Sequence, residues 1–253
     1  MATRRRFSPL ALVRFILLLL GSLSLLASTV VAQDEEVAGG HVIVLPASGV
    51  VDQIMAEYLR AGIDRAESED AAAVVIELDT PGGSLESTRE IVQSELSAEV
   101  PLMVWVGPAG ARAASAGTFL TLAAHVASMA PATNIGAATP VSSDGQDIPE
   151  DLASKVMNDT IATITSIAEE RGRPVDWAVS TVTDALSFTV DEALAAGAID
   201  IKAESIEDLL AQADGMTVNV AGKAVTLETA GAEVERLGMN PFQSFLHLLS
   251  DPN

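Results

Sequence analysis

The stretch that decides the fold reads Val74-Val75-Ile76-Glu77-Leu78-Asp79-Thr80-Pro81-Gly82-Gly83-Ser84. Its first half is a short apolar run, which is typical of a strand that is buried on both faces of a parallel sheet. Its second half is a proline–glycine turn, where the backbone adopts conformations that other residues resist. The segment therefore predicts a buried strand that ends in a tight turn with accessible backbone N–H groups.

Similar strands recur along the chain, and segments with helical spacing separate them. This alternation of strands and helices predicts an α/β fold with a parallel core sheet. A long connection at 131–150, with a polar centre at 142–147, interrupts the pattern before a strongly periodic helix. The predicted strands are 41–46, 72–78, 102–106, 126–129 and 198–201, with a hairpin at 218–227; the predicted helices are 51–68, 85–95, 118–125, 152–171, 177–182 and 190–196.

The N-terminus has the pattern of a secretion signal. A basic group at 4–6 precedes a leucine-rich core at 15–26, and small residues at 30–32 form an acceptable cleavage site. We therefore predict a signal peptide at 1–32, with an uncleaved anchor as the alternative, and a short acidic linker at 33–40. A single domain would fill 41–238, and an apolar tail would follow at 239–253. Such a protein is exported to the extracytoplasmic face of the cell membrane or to the periplasm.

The charge balance narrows the possible partners. Cysteine is absent from the sequence, so disulfides and thiolate metal sites are excluded. All 35 acidic residues lie after position 32, and the same part of the chain contains only ten arginines and lysines. A surface with a net charge of −25 repels nucleic acid and anionic lipid. It is also the balance of a protein that stays soluble in high salt, so we hypothesise a salt-loving host.

A second segment carries candidate chemistry: Arg112-Ala113-Ala114-Ser115-Ala116-Gly117-Thr118. It places one serine among very small residues at a predicted junction of strand and helix, where a substrate backbone can approach closely. The Gly82–Gly83 turn could direct N–H groups at a developing oxyanion. These features favour acyl transfer with Ser115 as the nucleophile. Close packing of helices is the alternative explanation for such a run.

A serine nucleophile needs a base, and two candidates remain open. His125 follows Ser115 by ten residues, whereas His41 and His247 are more typical of structural or solvated histidines. Lys155 begins the periodic helix directly after the long connection, in a chain with only two other lysines, Lys202 and Lys223. A lysine that is desolvated in an apolar pocket can lose its proton near neutral pH and serve as a base.

Taken together, six ordered motifs resemble the NfeD family of membrane-bound serine proteases, which belongs to the ClpP/crotonase superfamily. The resemblance spans about residues 41 to 253, and the motifs are specific in combination although each is weak alone. They are Asp79-Thr80-Pro81-Gly82-Gly83, Ala113-Ala114-Ser115-Ala116-Gly117-Thr118, Met129-Ala130-Pro131, Asn134-Ile135-Gly136-Ala137, Lys155-Val156-Met157-Asn158-Asp159 and Glu192-Ala193-Leu194-Ala195-Ala196-Gly197-Ala198-Ile199-Asp200.

The resemblance implies a crotonase/ClpP-like fold of stacked ββα units and a Ser–Lys dyad. By motif, Ser115 matches the nucleophile and Lys155 the base, while Gly82, Gly83 and the N–H of Ala116 match the oxyanion hole. It also implies an apolar segment of a stomatin-like membrane protein as substrate, and a homodimer or higher oligomer. The acid of the ClpP triad falls on Ala185 here, so the resemblance favours the dyad.

The resulting expectation is an exported serine endopeptidase that cleaves apolar segments of membrane proteins, with a stomatin-like protein as the candidate partner. No cofactor, metal or nucleic acid is expected, and we predict that Val104, Leu120 and Ile135 line the substrate pocket. The alternatives are a non-catalytic binding module for a stomatin-like protein and an acyl-CoA enzyme. Export and the scarcity of basic residues disfavour the latter. Relatives in the resembled family often continue into membrane helices, so the sequence fits a short or truncated form.

The acidic surface yields the first prediction. Self-repulsion should destabilise the folded domain at low ionic strength, and salt should relieve it, because the screening length falls to about 3 Å at 1 M. We expect the melting temperature to rise as sodium chloride increases from tens of millimolar to molar. Calorimetry in a weakly structuring salt is the control for general salting-out. A melting temperature that stays flat in both salts would contradict the prediction.

Overall fold

The structure is a computed structural model that describes residues 40–141 and 149–250. The decisive stretch forms strand β2, Ala73–Asp79, in which only Glu77 and Asp79 are not fully buried. The predicted signal peptide, nearly all of the predicted linker and the polar centre of the long connection lie outside the described residues. The predictions made for them therefore stay predictions.

Helices and strands alternate along the first half of the chain, as the sequence predicts. The strands are β1 Val42–Ser48, β2 Ala73–Asp79, β3 Leu102–Val106, β4 Arg112–Ala114, β5 Val126–Met129, β6 Asn134–Gly136, β7 Ser187–Thr189, β8 Ile201–Lys202, β9 Thr217–Val220, β10 Lys223–Thr226 and β11 Val234–Arg236. The helices are α1 Gln53–Ser68, α2 Leu85–Ser97, α3 Ala116–Ala123, α4 Glu150–Glu170, α5 Val175–Thr183, α6 Val190–Ala196, α7 Ile206–Ala213 and α8 Pro241–Ser250.

A six-stranded sheet forms the centre, in the order β11-β1-β2-β3-β5-β8, and every neighbouring pair is parallel. The predicted α/β class with a parallel core is therefore confirmed. Because the strands are parallel, the carboxyl ends of β1, β2 and β3 meet at one edge of the sheet. The Gly82–Gly83 turn follows β2 at this edge.

Alternation along each strand sends side chains to two separate cores. On one face, Val74 and Ile76 of β2 pack into a large cluster with the helices α1 to α6. On the other face, Val75 packs with Trp105 and with the apolar side of α7. Burial on both faces explains why the strands read as continuous apolar runs in the sequence.

A small second sheet, in the order β4-β6-β7, is absent from the sequence prediction. Each of its strands has three residues, which is too short for a period-2 pattern to be recognised. The strands β4 and β6 are parallel neighbours, and β7 runs antiparallel to β6. This sheet pairs the segment that leads into Ser115 with the first part of the predicted long loop.

The predicted apolar tail contains a helix, α8, that contacts the domain. His247 forms hydrogen bonds with the Asp52 carboxylate at 2.9 Å and with the backbone carbonyl of Ser48 at 3.0 Å. Asp52 in turn accepts the N–H of Met55 and caps α1. Large apolar side chains of α8 remain exposed, namely Phe242, Phe245, Leu248 and Leu249. Among residues 40–141 and 149–250, no helix combines the length and the hydropathy of a membrane span.

A buried arginine joins the end of α3 to the approach to β8. Arg173 is 5 % exposed, and its guanidinium donates to the carbonyls of Leu122, Ala198 and Ala124 at 3.1, 2.9 and 3.2 Å. It also forms an ion pair with Asp200 at 3.0 Å. One side chain therefore satisfies three backbone acceptors that would otherwise be buried without a partner.

Removal of this guanidinium should destabilise the fold severely. We expect Arg173→Ala to lower the free energy of unfolding by about 3–5 kcal/mol, because it leaves three buried carbonyls without a donor and removes the ion-pair partner of Asp200. Chemical denaturation measures this difference. Arg60→Ala, an exposed arginine of α1, is the matched control and should change stability by less than about 0.5 kcal/mol. Equal losses in the two variants would contradict the assigned role.

Candidate active site

Ser115 occupies a strained position at the junction of β4 and α3. Its backbone has φ 50° and ψ −111°, a conformation that residues with a Cβ rarely adopt. Its N–H donates to the carbonyl of Gly136 at 2.9 Å, which fixes the turn from the side of β6. Although Ser115 is the N-cap residue of α3, its hydroxyl makes no capping hydrogen bond. The hydroxyl is therefore left for other partners.

The small residues around Ser115 are required by close packing. A Cβ at Gly117 would lie 2.7 Å from the side chain of Thr80 and 3.2 Å from that of Ala113. A Cβ at Gly82, where φ is +118°, would lie 2.7 Å from the Cβ of Ser115 and 3.2 Å from its Oγ. The Gly82 backbone therefore lies directly against the serine side chain, where no other residue fits.

Hydrogen bonds on three sides hold the turn after β2. Thr80 pairs with the strand β4 through Arg112 and Ala114, at 2.8 and 3.1 Å. The Thr80 hydroxyl accepts the N–H of Gly82 at 3.1 Å. On the other side, the N–H of Val51 donates to the carbonyl of Gly82 at 2.9 Å, and the N–H of Ser84 donates to Val51 at 2.8 Å.

Of the three N–H groups assigned to an oxyanion hole by resemblance, the structure leaves two available. The N–H of Gly82 is already bonded to Thr80. The N–H groups of Gly83 and Ala116 donate to no acceptor within 40–141 and 149–250. Ala116 is the first residue of α3, where the helix dipole adds positive potential. The available pair can therefore bind an oxygen anion beside Ser115.

Ser115, Gly83 and Ala116 open into one cleft between α2 and α4. Leu85, Val92 and Phe119 give the cleft an apolar wall, and threonines together with Arg89 contribute its polar part. Its lining comprises Gly83, Leu85, Thr88, Arg89, Val92, Ser115, Ala116, Phe119, Ala138, Pro140, Thr160 and Thr163. The sequence patterns did not reveal the cleft residues of α2 and α4, because helices that lie far apart in the sequence meet only in the tertiary structure.

The structure does not bring Lys155 into contact with Ser115. Lys155 lies on α4 with an exposed side chain and is absent from the cleft lining. Thr160, five residues later on the same helix, does line the cleft. Because a helix rises 1.5 Å per residue, Lys155 begins roughly 7.5 Å further along the axis. Lys155 therefore lies more than one helical turn before Thr160 and outside the cleft lining.

The predicted pocket residues Val104, Leu120 and Ile135 lie in the core and not in the cleft. All three are fully buried, with 0 % exposure, and belong to the core that joins the sheet to the helices. None of them lines the cleft. The expectation of a pocket wall at these positions is corrected: they stand on β3, α3 and β6, which form the floor behind Ser115. Apolar character alone does not distinguish residues of the core behind Ser115 from residues that line the cleft.

His125 is not placed to act as a base for Ser115. It follows the far end of α3, which at eight residues is about 12 Å long. Its Nδ1 accepts the N–H of Leu102 at 3.1 Å. Burial, with the charge of Arg171 as a second cause, lowers the pKa of His125 to about 4. His125 is therefore neutral and structural, and His247 contacts Asp52 as described above.

One group of side chains has the composition of a metal site, at the opposite end of β1 from the cleft. His41, Glu69 and Glu235 bring one ligand atom each within 4.8 Å of one another. Arg65, however, donates to Glu69 at 2.8 Å and to Glu235 at 3.0 Å. Its guanidinium already supplies the positive charge that these carboxylates need, so the group is a salt-bridge cluster.

Comparison with solved structures places this geometry among known proteins. The N-terminal domain 1510-N of a membrane-bound, stomatin-specific protease, solved as a lysine-to-alanine variant with a substrate peptide, superposes with a TM-score of 0.77 at 35 % identity. The match covers 83 % of this chain and 97 % of that one. A serine-to-alanine variant of the same domain gives a TM-score of 0.74 at 36 % identity, covering 79 % and 99 % of the two chains.

A more distant structure shows the fold alone. ClpP1 from Listeria monocytogenes matches with a TM-score of 0.51 at 20 % identity, over 63 % of this chain and 91 % of its own. The expected ClpP-like fold is therefore confirmed.

Sequence relatives agree with the structural matches. The membrane-bound protease PH1510 of Pyrococcus horikoshii is 39 % identical over 193 residues, which are 74 % of this chain and 43 % of the relative. The membrane protein NfeD1b of Bacillus subtilis is 32 % identical over 105 residues, which are 42 % of this chain and 23 % of the relative. The chain thus spans less than half the length of these relatives. Residues 41–223 match the family of the NfeD1b N-terminal domain, and the chain belongs to this family.

Proposed function

We propose that the chain is a serine endopeptidase in which Ser115 is the nucleophile and Lys155 the general base. The observation that carries the proposal is the environment of Ser115. Ser115 has a strained backbone, and its hydroxyl makes no capping hydrogen bond. It lies in a cleft beside two available N–H groups, those of Gly83 and Ala116. This arrangement suits attack on a carbonyl and stabilisation of the resulting oxyanion.

The chemistry would follow the usual two steps of acyl transfer. The neutral amine of Lys155 takes the proton of the Ser115 hydroxyl while the oxygen attacks the scissile carbonyl. The oxyanion binds to the N–H groups of Gly83 and Ala116, and the amine returns the proton to the departing nitrogen. Water then hydrolyses the acyl-enzyme by the same route. The distance between Lys155 and the cleft requires that the lysine side chain turns inward when a peptide is bound.

The cleft favours an extended, apolar peptide as substrate. Leu85, Val92 and Phe119 offer apolar contacts beside the reacting serine. The similar protease domain is described as stomatin-specific and has been solved with a substrate peptide. We therefore propose apolar segments of membrane proteins as the substrate class, with a stomatin-like protein as the candidate partner, and an exported, extracytoplasmic location for the domain.

One observation favours a second candidate, a non-catalytic binding module. Lys155 is exposed and does not contact Ser115, as would be expected of a cleft that binds a peptide without cleaving it. A serine-directed phosphonate separates the two candidates, because it forms a stable covalent adduct only with an activated serine. Mass spectrometry would locate that adduct on Ser115 in the enzyme and find none in the binding module.

Removal of the Ser115 hydroxyl should abolish hydrolysis and preserve the fold. We expect Ser115→Ala to lower kcat by roughly 10⁴-fold or more, because the covalent intermediate cannot form. The release of fluorescent product from an apolar peptide measures the rate, and circular dichroism checks the fold. Ser166→Ala, an exposed serine of α4, is the matched control and should keep full activity. Substantial cleavage by Ser115→Ala would refute the assigned nucleophile.

The base is tested by a substitution that keeps the positive charge. Lys155→Arg should be inactive between pH 6 and 10, because a guanidinium does not release its proton in this range. The unmodified enzyme should become more active as the pH rises, since only the neutral amine accepts the serine proton. Lys202→Arg, which keeps the ion pair with Asp191, should leave the pH profile unchanged. A Lys155→Arg variant with normal rates would assign the base elsewhere.

A further inference from the structure

An ion pair spans the cleft between its two helical walls. Arg89 of α2 lines the cleft together with Ser115. Its guanidinium pairs with the carboxylate of Asp159 on α4, next to the cleft residue Thr160. The two side chains remain 53 % and 60 % exposed. The pair therefore lies at the rim of the cleft, where α2 and α4 come together.

Asp159 is also a neighbour of the proposed base. It follows Lys155 by four residues on α4, a spacing that puts two side chains on one face of a helix with about 5–6 Å between their Cβ atoms. A carboxylate at this distance favours the protonated ammonium. A general base must instead be neutral before it can accept a proton. If it were free to pair with the lysine, Asp159 would therefore oppose catalysis.

We propose that Arg89 is a positioning residue that binds Asp159 and so keeps this carboxylate away from Lys155. The inference rests on the proposed Ser115–Lys155 dyad and adds a third and a fourth residue to the mechanism. An arginine suits the task because it stays charged throughout the working pH range and binds a carboxylate through a fork of N–H donors. A lysine at position 89 would itself titrate at high pH.

Acidic residues outnumber basic ones on α4 and on the helices packed against it. On α4, Asp151 stands one turn before Lys155, and no cation other than Lys155 itself occurs in this helix. In the described part of the elements packed against α4, Arg89 is the single cation. The charged groups there are Glu86, Arg89, Glu90 and Glu95 on α2 and Asp176 on α5, while α3 has none. Without Arg89, these packed helices would contribute only acidic residues to the charged groups around α4.

The test is the pH dependence of kcat in a charge-reducing variant. Arg89→Gln frees Asp159, so we expect the pH of half-maximal activity to rise by about 0.5–1 unit. Below that pH, the rate would fall about 3- to 10-fold. Arg89→Gln combined with Asp159→Asn removes both charges, and the midpoint should return to its original value. Arg60→Gln makes the same change of charge on exposed α1 and should not move the midpoint.

Other outcomes would overturn the inference. If the ion pair only ties α2 to α4, Arg89→Gln and the double variant would lose rate equally at every pH. If Arg89 instead binds the substrate, KM would rise and the midpoint would stay in place. A failure of the dyad itself looks different, because Lys155→Arg would then remain active. An inactive Lys155→Arg together with an unmoved midpoint in Arg89→Gln would refute the role of Arg89 alone.

Discussion

The contact between Gly82 and Ser115 is the constraint on which the site depends. A side chain at position 82 would lie 2.7 Å from the Cβ of Ser115, so the turn after β2 and the turn before α3 must be built together. Both turns need backbone conformations with positive φ. Three interactions keep these strained turns in place. Thr80 pairs with β4, β4 pairs with β6, and the N–H of Ser115 donates to the carbonyl of Gly136 in β6.

Much of this architecture could be predicted because burial on both faces leaves a clear pattern. The strands β3 and β5 and the helix α6 were predicted with the correct bounds. The sheet that contains β4 and β6 could not be predicted, since three-residue strands are specified by tertiary pairing rather than by their own periodicity. The predicted strand at 198–201 overlaps the observed two-residue strand, Ile201–Lys202, only at Ile201, because so short a strand is also specified by its pairing with β5.

The candidate site was less predictable than the fold. Small residues around Ser115 indicate close approach, and this local signal was sufficient to single out the segment. The walls of the cleft come from α2 and α4, whose cleft-facing residues look like any amphipathic stripe in the sequence. Apolarity alone suggested Val104, Leu120 and Ile135, which lie in the floor because apolar residues are equally suited to a core. The roles of Ser115 and Lys155 remain predictions.

The hydrogen bonds of His247 have a mechanical consequence. They attach α8 to Ser48 and Asp52, on either side of the residue, Val51, that pairs with Gly82 and Ser84. A force applied to the C-terminal helix is therefore transmitted through a short series of hydrogen bonds to the turn that carries Gly83. The turn beside Ser115 is in this way coupled to His247, which lies 195 residues further along the chain than Asp52, so a displacement of α8 would be passed on to the wall of the cleft.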